Sequence, residues 1–186
     1  MDEARLKEIL AEPRHERALP DESNCIAGLL ELLRYTEYPR RILEIGCHKG
    51  VSTEAFLLHC EGMTAVDPWN DEHIYRHFEH RTSRYKAPNG PLSTVIRGKS
   101  PGDLKFADKH GYDLCYIDAI HEYDDVEADI RGCWPHVKWG GWVSGHDYGF
   151  LAVRLLVHKL LGGPEQVFRD GSWCVHKLPG KFEDVL

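Results

Sequence analysis

The chain has 186 residues, enough for one domain with a buried core, and its 42% hydrophobic and 28% charged residues are typical of a soluble globular protein. A formal net charge of −7 disfavours nucleic acid as a partner, because there is no polycationic surface to attract phosphates. No apolar run has the length of a membrane span or the form of a secretory leader, so we expect a cytoplasmic protein without a membrane partner.

Two helices, residues 1–12 and 22–36, are predicted first, and Asp21 or Ser23 is the candidate cap of the second. Five units of strand and helix follow. The predicted strands are residues 41–46, 63–67, 93–97, 112–118 and 142–145, the last preceded by a Gly140-Gly141 turn. The predicted helices are 51–60, part of 70–90, 101–110, 124–134 and 150–161. Two closing strands, 166–169 and 173–176, flank the turn signal Asp170-Gly171.

Strands that are apolar throughout and alternate with helices predict a parallel sheet covered on both faces. The fold class we expect is α/β, a Rossmann-like doubly wound sheet that is mostly parallel, with an antiparallel C-terminal hairpin and helices on both faces. Residues 1–186 then form a single domain, in which 1–37 are the N-terminal helices and 38–178 the Rossmann-like core. Ligands on such sheets bind beyond the carboxyl ends of the strands.

Six cysteines are scattered along the chain without a Cys-x-x-Cys pair: Cys25, Cys47, Cys60, Cys115, Cys133 and Cys174. Several fall inside predicted elements, where cysteine behaves as a small hydrophobic residue. We therefore expect reduced, buried thiols and neither a disulfide framework nor a zinc site.

The first strand ends in the turn Glu44-Ile-Gly46-Cys47-His48-Lys49-Gly50. Glycine allows a sharp turn and close approach of a ligand to the backbone, and the amides at the start of the next helix suit an anion. His48 occupies the position at which a dinucleotide motif has its middle glycine, so a pyrophosphate is disfavoured. A smaller anion, such as the amino-acid end of S-adenosylmethionine, fits this turn better, and Glu44 could face its amino group.

The residues after the next two strands suit a nucleoside. Asp67 ends the second strand, where a carboxylate can accept hydrogen bonds from a ribose diol. Trp69 is a candidate to pack on adenine, with a core or lid tryptophan as the alternative. Ser100, after the third strand, is a plausible contact on the adenine side.

Together these segments resemble the class I S-adenosylmethionine-dependent methyltransferases, specifically the small bacterial type of methyltransferase family 24. The segments in register are Glu44-x-Gly46-x3-Gly50, Val66-Asp67-Pro68-Trp69, Gly98-Lys99-Ser100, Tyr116-Ile-Asp118-Ala-Ile-His121-x-Tyr123 and Gly140-Gly-x4-His146-Asp147-Tyr148. The resemblance implies a seven-stranded Rossmann-like fold whose last strand is antiparallel. It also implies cofactor contacts at Glu44, Gly46, Gly50, Asp67 and Ser100, and we add Cys47, His48, Trp69 and Asp118 to the predicted cofactor site. Such proteins often carry an acidic residue before the serine, and this chain has Lys99 there.

Two carboxylates and two imidazoles follow the fourth and fifth strands, and in a parallel sheet they meet at one edge. In one hypothesis Asp118, His146 and Asp147 hold a divalent metal such as Mg²⁺, which would bind a substrate hydroxyl and lower its pKa. In a second, His121 or His146 is a general base, with Asp147 in the same catalytic group. In a third, these side chains only cap a helix and pair with one another.

The function we expect is O-methylation of a small-molecule acceptor. The alternatives are a non-catalytic cofactor-binding subunit and, less favoured, a nicotinamide-dependent oxidoreductase. The segment 70–90 is a candidate for a substrate lid or a dimer contact, with a solvated helix as the alternative, and the N-terminal helices are a second candidate face for a homodimer.

Overall fold

The computed structural model describes residues 4–5, 8–9 and 25–180 of the chain. Residues 4–5 and 8–9 are helical, in agreement with the first predicted helix. The candidate caps Asp21 and Ser23 lie outside the described residues. The second predicted helix is present as α1, Cys25–Tyr35.

The seven strands are β1 (Arg41–Ile45), β2 (Gly62–Asp67), β3 (Leu92–Arg97), β4 (Tyr112–Ile117), β5 (Val137–Gly145), β6 (Gln166–Val167) and β7 (Trp173–His176). The helices after α1 are α2 (Val51–Leu57), α3 (Glu72–Thr82), α4 (Tyr123–Cys133) and α5 (Leu151–Leu161). Three short 3₁₀ helices connect them, at Ser83–Tyr85, Gly102–Phe106 and Trp134–His136.

All seven strands form one sheet in the order β3-β2-β1-β4-β5-β7-β6. The first five strands are parallel, and β7 is antiparallel to both β5 and β6. The predicted fold class, a mostly parallel Rossmann-like sheet with an antiparallel hairpin, is confirmed. The chain runs from β1 outward to β3 and then crosses back to β4, so the strand order reverses between β1 and β4, where such folds bind ligands.

The core lies on both faces of this sheet because successive side chains of each strand point to opposite sides. Leu43 and Ile45 of β1 pack with buried residues of α4 and α5 on one face. Ile42 belongs to the other face, where α1 and α2 cover the sheet. A single short strand therefore contributes to both layers, which explains its continuous run of apolar residues.

Strand β5 and the predicted helix 101–110 differ most from the prediction. Strand β5 begins at Val137 and passes through the glycine pair that we predicted as a turn before it. Gly140 has a φ of 79°, and the pairing with β4 shifts from Tyr112–Val137 to Leu114–Trp142, so the glycine forms an irregularity inside the strand. The predicted helix 101–110 is a 3₁₀ helix over Gly102–Phe106.

Among the described residues, no helix has both the length and the hydropathy needed to cross a membrane.

Candidate active site

A cavity of about 510 Å³ opens at the carboxyl ends of the parallel strands, between the loops that follow β1 to β5. This volume is within the range of small-molecule sites. The lining includes eight of the residues predicted for the site: Gly46, Cys47, His48, Asp67, Ser100, Asp118, His121 and Asp147. The predicted residues Glu44, Gly50, Trp69 and His146 lie behind this wall.

The turn after β1 brings the backbone close to the loop after β4. Gly46 has a φ of 87°, and a Cβ atom there would lie 2.0 Å from the carbonyl oxygen of Asp118. Glycine is therefore required at this position for both its conformation and its size. Gly50, with a φ of 81°, ends this turn and is the N-cap residue of α2.

The Asp67 carboxylate holds two loops together. Its Oδ2 accepts hydrogen bonds from the backbone amides of Cys47 and His48, at 3.0 and 2.9 Å, and its Oδ1 accepts one from the amide of Trp69, at 2.7 Å. His48 and Trp69 have left-handed backbones, with φ of 46° and 38°. These bonds offset the cost of those conformations and use three of the roughly four acceptor positions of a carboxylate. Asp67 still lines the cavity, so one acceptor position is left for a ligand.

Trp69 does not reach the cavity, in contrast to the prediction that it packs on adenine. It is 2% exposed, and its ring packs against Tyr75 and Phe78 of α3 with ring centres 5.2 and 4.5 Å apart. Its indole nitrogen donates a hydrogen bond of 2.8 Å to the carbonyl oxygen of His48. The tryptophan anchors α3 and the glycine turn to the core, which is the alternative role considered for it.

Glu44 does not face the cavity, in contrast to the prediction that it could face the amino group of a ligand. It is fully buried, and its two carboxylate oxygens accept hydrogen bonds of 2.5 Å from the hydroxyls of Ser52 and Thr53. Ile45, the next residue, lines the cavity, so the alternation along β1 turns Glu44 to the face that α2 covers. Glu44 thus fixes the start of α2 beneath the turn.

At the end of the cavity beside the loops after β4 and β5, a carboxylate of the wall lies between two imidazoles, of which only His121 lines the cavity. Asp147 Oδ2 lies 2.6 Å from His121 Nε2, and Asp147 Oδ1 lies 3.0 Å from His146 Nδ1. The His121 Nε2–Asp147 Oδ2 contact is as short as a charge-assisted hydrogen bond, although its direction departs from regular geometry, and it is an ion pair when His121 is protonated. The ring of His121 is further held by Phe150, which stacks on it with ring centres 4.7 Å apart.

These contacts change the proton affinities of both groups. The contact with Asp147 raises the pKa of His121 above its ordinary value of 6.5, against an opposing effect of burial. Burial alone would raise the pKa of Asp147, but the contacts with His121 and His146 outweigh it and hold that pKa well below its usual range. Asp147 is therefore an anion at all working pH values, and it orients His121 and stabilises its protonated form.

His146 is turned away from the cavity, which changes the predicted metal set. Its side chain is 10% exposed, and its Nε2 has no hydrogen-bond partner among the described residues, the nearest carboxylate oxygen being Asp170 Oδ2 at 4.0 Å. The residues whose ligand atoms come together, all within 4.8 Å of one another, are Asp118, His121 and Asp147. The imidazole in this candidate metal set is therefore that of His121 and not, as we had predicted, that of His146.

Sequence reasoning missed Asp129 of α4, which is 5% exposed and lines the cavity near Ser100. A signal was present. Asp129 belongs to the helical spacing of Val126, Ile130 and Cys133, which α4 buries, and a carboxylate on an apolar stripe is costly without a role. Burial raises the pKa of Asp129 to about 6.

The fold and cavity define a Rossmann-like protein with a nucleoside-sized site at its topological switch point. Residues 43–148 match the model of methyltransferase family 24, which describes a methyltransferase domain. The chain belongs to this family, within the class I S-adenosylmethionine-dependent methyltransferases.

Other similarities are more distant. Over 122 residues the chain is 30% identical to an uncharacterized protein, y4gI, of Sinorhizobium fredii, in a match covering 59% of this chain and 13% of that protein. The chain thus spans only a small part of the length of this curated relative.

Several solved structures share the fold. The N-methyltransferase NodS of Bradyrhizobium japonicum, in complex with S-adenosyl-L-homocysteine, has a TM-score of 0.63 at 18% identity, covering 92% of this chain and 95% of NodS. An O-methyltransferase of Bacillus cereus in complex with the same compound has a TM-score of 0.62 at 17% identity, over 94% and 91% of the two chains. The O-methyltransferase TomG of Streptomyces achromogenes, in complex with S-adenosylmethionine, has a TM-score of 0.60 at 19% identity, over 94% and 87%.

Proposed function

We propose that this protein transfers the methyl group of S-adenosylmethionine to a hydroxyl oxygen of a small molecule, with His121 as the base. The observation that carries the proposal is the Asp147–His121 pair, 2.6 Å apart, on the wall of a cavity with the size and polar groups for a nucleoside. The O-methyltransferases that share the fold support oxygen as the acceptor atom.

The residues on the cavity wall fit the cofactor. Asp67 retains an acceptor position suited to a ribose hydroxyl, and Ser100 Oγ is buried without a hydrogen-bond partner among the described residues. The turn of Gly46, Cys47 and His48 lines the cavity next to Asp67, and Gly46 has no side chain to keep a ligand away from the backbone. S-adenosylmethionine, when bound, supplies a methyl group on a sulfonium that is already activated for displacement.

The protein then has two tasks, alignment of the acceptor and removal of its proton. Because His121 Nε2 faces Asp147, we assign the ring hydrogen to Nε2, which leaves the lone pair on Nδ1 to accept the proton of the hydroxyl. The anionic Asp147 stabilises the imidazolium that results. Alignment of the hydroxyl oxygen with the methyl carbon can contribute roughly 7–11 kcal/mol to lowering the barrier.

The acceptor that this site suits is a small molecule with an apolar part. Ile120, which lines the cavity, and Phe150, which stacks on the ring of His121, are 50% and 53% exposed. Exposed apolar side chains beside polar catalytic groups are typical of ligand sites. These two side chains support binding of an apolar group next to the base.

Divalent metal assistance is the second candidate, and the proximity of Asp118, His121 and Asp147 favours it. Two carboxylates and one imidazole suit Mg²⁺, Mn²⁺ or Fe²⁺, and the spacing of their ligand atoms permits all three to reach one ion. A bound ion would polarise the acceptor hydroxyl. His121 would then serve as a ligand, so the two mechanisms are mutually exclusive at this residue.

The test is transfer of a labelled methyl group from S-adenosylmethionine to a panel of small hydroxyl-bearing molecules. We expect His121→Ala to lose about 10²-fold or more of the transfer rate, as for removal of a general base. His80→Ala, a change at an exposed position of α3, is the matched control and should retain wild-type activity. Full activity of His121→Ala would contradict the proposed role, and binding of cofactor without transfer to any acceptor would favour the non-catalytic alternative.

A further inference from the structure

Helix α4 brings two carboxylates, Asp125 and Asp129, to the wall of the cavity, and Asp129 is the buried one. Asp129 is 5% exposed, although its neighbours on the same face, Val126 and Ile130, are apolar core residues. A carboxylate in this position loses hydration that the apolar residues around it do not replace. Asp129 nevertheless lines the cavity, so a bound ligand could contact its carboxylate.

Close packing holds Asp129 beside the loop that follows β3. A Cβ atom on Gly132 of α4 would lie 2.5 Å from Cβ of Pro101, so the helix approaches this loop as closely as a glycine allows. Asp129 precedes Gly132 by three residues and shares its helix face, while Ser100 precedes Pro101. The two polar side chains therefore converge on one end of the cavity.

Ser100 and Asp129 lie close to each other at this end of the cavity. Ser100 is 8% exposed, and its Oγ makes no hydrogen bond of regular geometry with a described residue, although it lies close enough to Asp129 to favour the ionised carboxylate. The neighbouring cation, Lys99, also lines the cavity, but its Nζ pairs at 3.0 Å with Asp125 and so makes its ion pair with that residue and not with Asp129. An acceptor and a hydroxyl thus share a buried end of the cavity.

We propose that Asp129 and Ser100 recognise the adenine base of the cofactor, with Asp129 accepting a hydrogen bond from the exocyclic amino group and Ser100 donating one to a ring nitrogen. The proposal rests on the S-adenosylmethionine binding proposed above and adds the residues that select adenine. The acidic residue that contacts adenine would thus come from α4 in this chain. In similar proteins an acidic residue often precedes the serine, at the position that Lys99 occupies here.

The chemistry of the base fits this pair. Adenine presents an amino donor next to a ring nitrogen acceptor, so an anionic acceptor beside a hydroxyl donor matches both atoms. Replacement of the amino group by a keto oxygen would place two oxygen acceptors against each other in a buried site. A site built in this way rejects such an analogue strongly, because its buried polar groups are left unpaired.

The experiment is calorimetric titration at pH 7.5 with S-adenosyl-L-homocysteine and with its deaminated analogue, S-inosyl-L-homocysteine. We expect the wild-type protein to bind the adenine compound about tenfold or more tightly than the deaminated one. In Asp129→Asn the ratio should fall to about threefold or less, because an amide offers both a donor and an acceptor. Asp124→Asn, the same change at an exposed position of α4, should keep the wild-type ratio.

The outcomes separate this inference from the proposed function. Binding of S-adenosyl-L-homocysteine with an unchanged ratio in Asp129→Asn would overturn the inference alone. Absence of binding to the wild-type protein would overturn the proposed function and the inference with it. Ser100→Ala is a second variant, and we expect its affinity for the adenine compound to fall about threefold or more. Full affinity in this variant, with thermal unfolding like that of wild type, would contradict the role of the hydroxyl.

Discussion

Asp147 Oδ2 lies 2.6 Å from Nε2 of His121, and this contact decides which imidazole of the site can act on a ligand. His121 lines the cavity, whereas His146, on the other side of the same carboxylate, is 10% exposed and turned away. Asp147 therefore connects an imidazole on the cavity wall to one in the core. We therefore propose His121, after β4, and not His146, after β5, as the base or the metal ligand.

A titration of the His121 ring by NMR tests this connection without an acceptor. Since Asp147 raises the pKa of His121, the ring should titrate above pH 6.5 in the wild-type protein. In Asp147→Asn the negative charge is lost, and the midpoint should move down toward the ordinary value. An unchanged midpoint would show that the contact does not determine the proton affinity of His121, and His80, which is exposed, serves as the internal reference.

The metal candidate is tested by Mn²⁺ binding, measured calorimetrically or by electron paramagnetic resonance. If the site of Asp118, His121 and Asp147 holds the ion, His121→Ala should weaken binding by about tenfold or more, and His146→Ala should weaken it less. The reverse order would favour the set with His146 that the sequence predicted. Lack of binding by the wild-type protein would reject metal assistance.

A buried ion-pair network around Glu54 should contribute strongly to stability. Its carboxylate, fully buried, accepts from Arg5, Arg81 and Arg84 at 2.7 to 3.0 Å, and so joins the N-terminal segment to α2 and α3. Glu54→Ala should lower the free energy of unfolding by about 3–5 kcal/mol, because three cations lose their shared partner. Glu61→Ala, which removes the exposed partner of Arg40, should change it little.

The same network has a predictable pH dependence. Burial opposes ionisation of Glu54, but the bonds from Arg5 and its neighbours outweigh it and hold the pKa below its ordinary value of 4.5. A depressed pKa contributes stability above the ordinary value and loses it as the pH falls through the folded-state value. The difference between wild type and Glu54→Ala in urea unfolding should therefore shrink in acid, and a difference that stays constant down to acid pH would contradict this account.

Asp129 should lower the stability of the ligand-free protein at neutral pH. Burial raises its pKa from 3.8 to about 6, so the folded state binds more protons than the unfolded state between these values and stability falls as the pH rises through them. Asp129→Asn should consequently be more stable than wild type by up to about 3 kcal/mol at pH 7 and nearly equal to it at pH 4. Urea unfolding at the two pH values measures this, with Asp124→Asn as the control. Equal stability of wild type and Asp129→Asn at pH 7 would contradict the view that the Asp129 carboxylate destabilises the ligand-free protein.

The sheet, the glycine turn and the position of Asp67 could be predicted because each follows from local rules. Apolar strands between helices determine a parallel sheet, and the carboxyl ends of its strands determine where Gly46 and Asp67 lie. The orientation of Glu44 could also have been predicted. Side chains alternate along a strand, so if Ile45 faces the cavity, Glu44 points away from it.

The remaining differences depend on backbone conformations and packing that the sequence does not specify. His146 and Asp147 are adjacent, and the left-handed backbone of Asp147, with a φ of 60°, turns that carboxylate toward His121 and leaves His146 inward. The position of Trp69 depends on α3 packing over it, and that of Asp129 depends on the close approach of Gly132 to Pro101. Each of these contacts joins two different segments of the chain, so the periodicity of one segment does not reveal them.

Calorimetric titration of the wild-type protein with S-adenosyl-L-homocysteine and, separately, with NADH tests the central claim most directly. The claim is that the cavity beyond the strand ends binds S-adenosylmethionine and its demethylated product. We predict saturable binding of S-adenosyl-L-homocysteine with one site per chain and no comparable binding of NADH, because His48 occupies the turn that a pyrophosphate needs. Tight binding of NADH without binding of S-adenosyl-L-homocysteine would contradict the account.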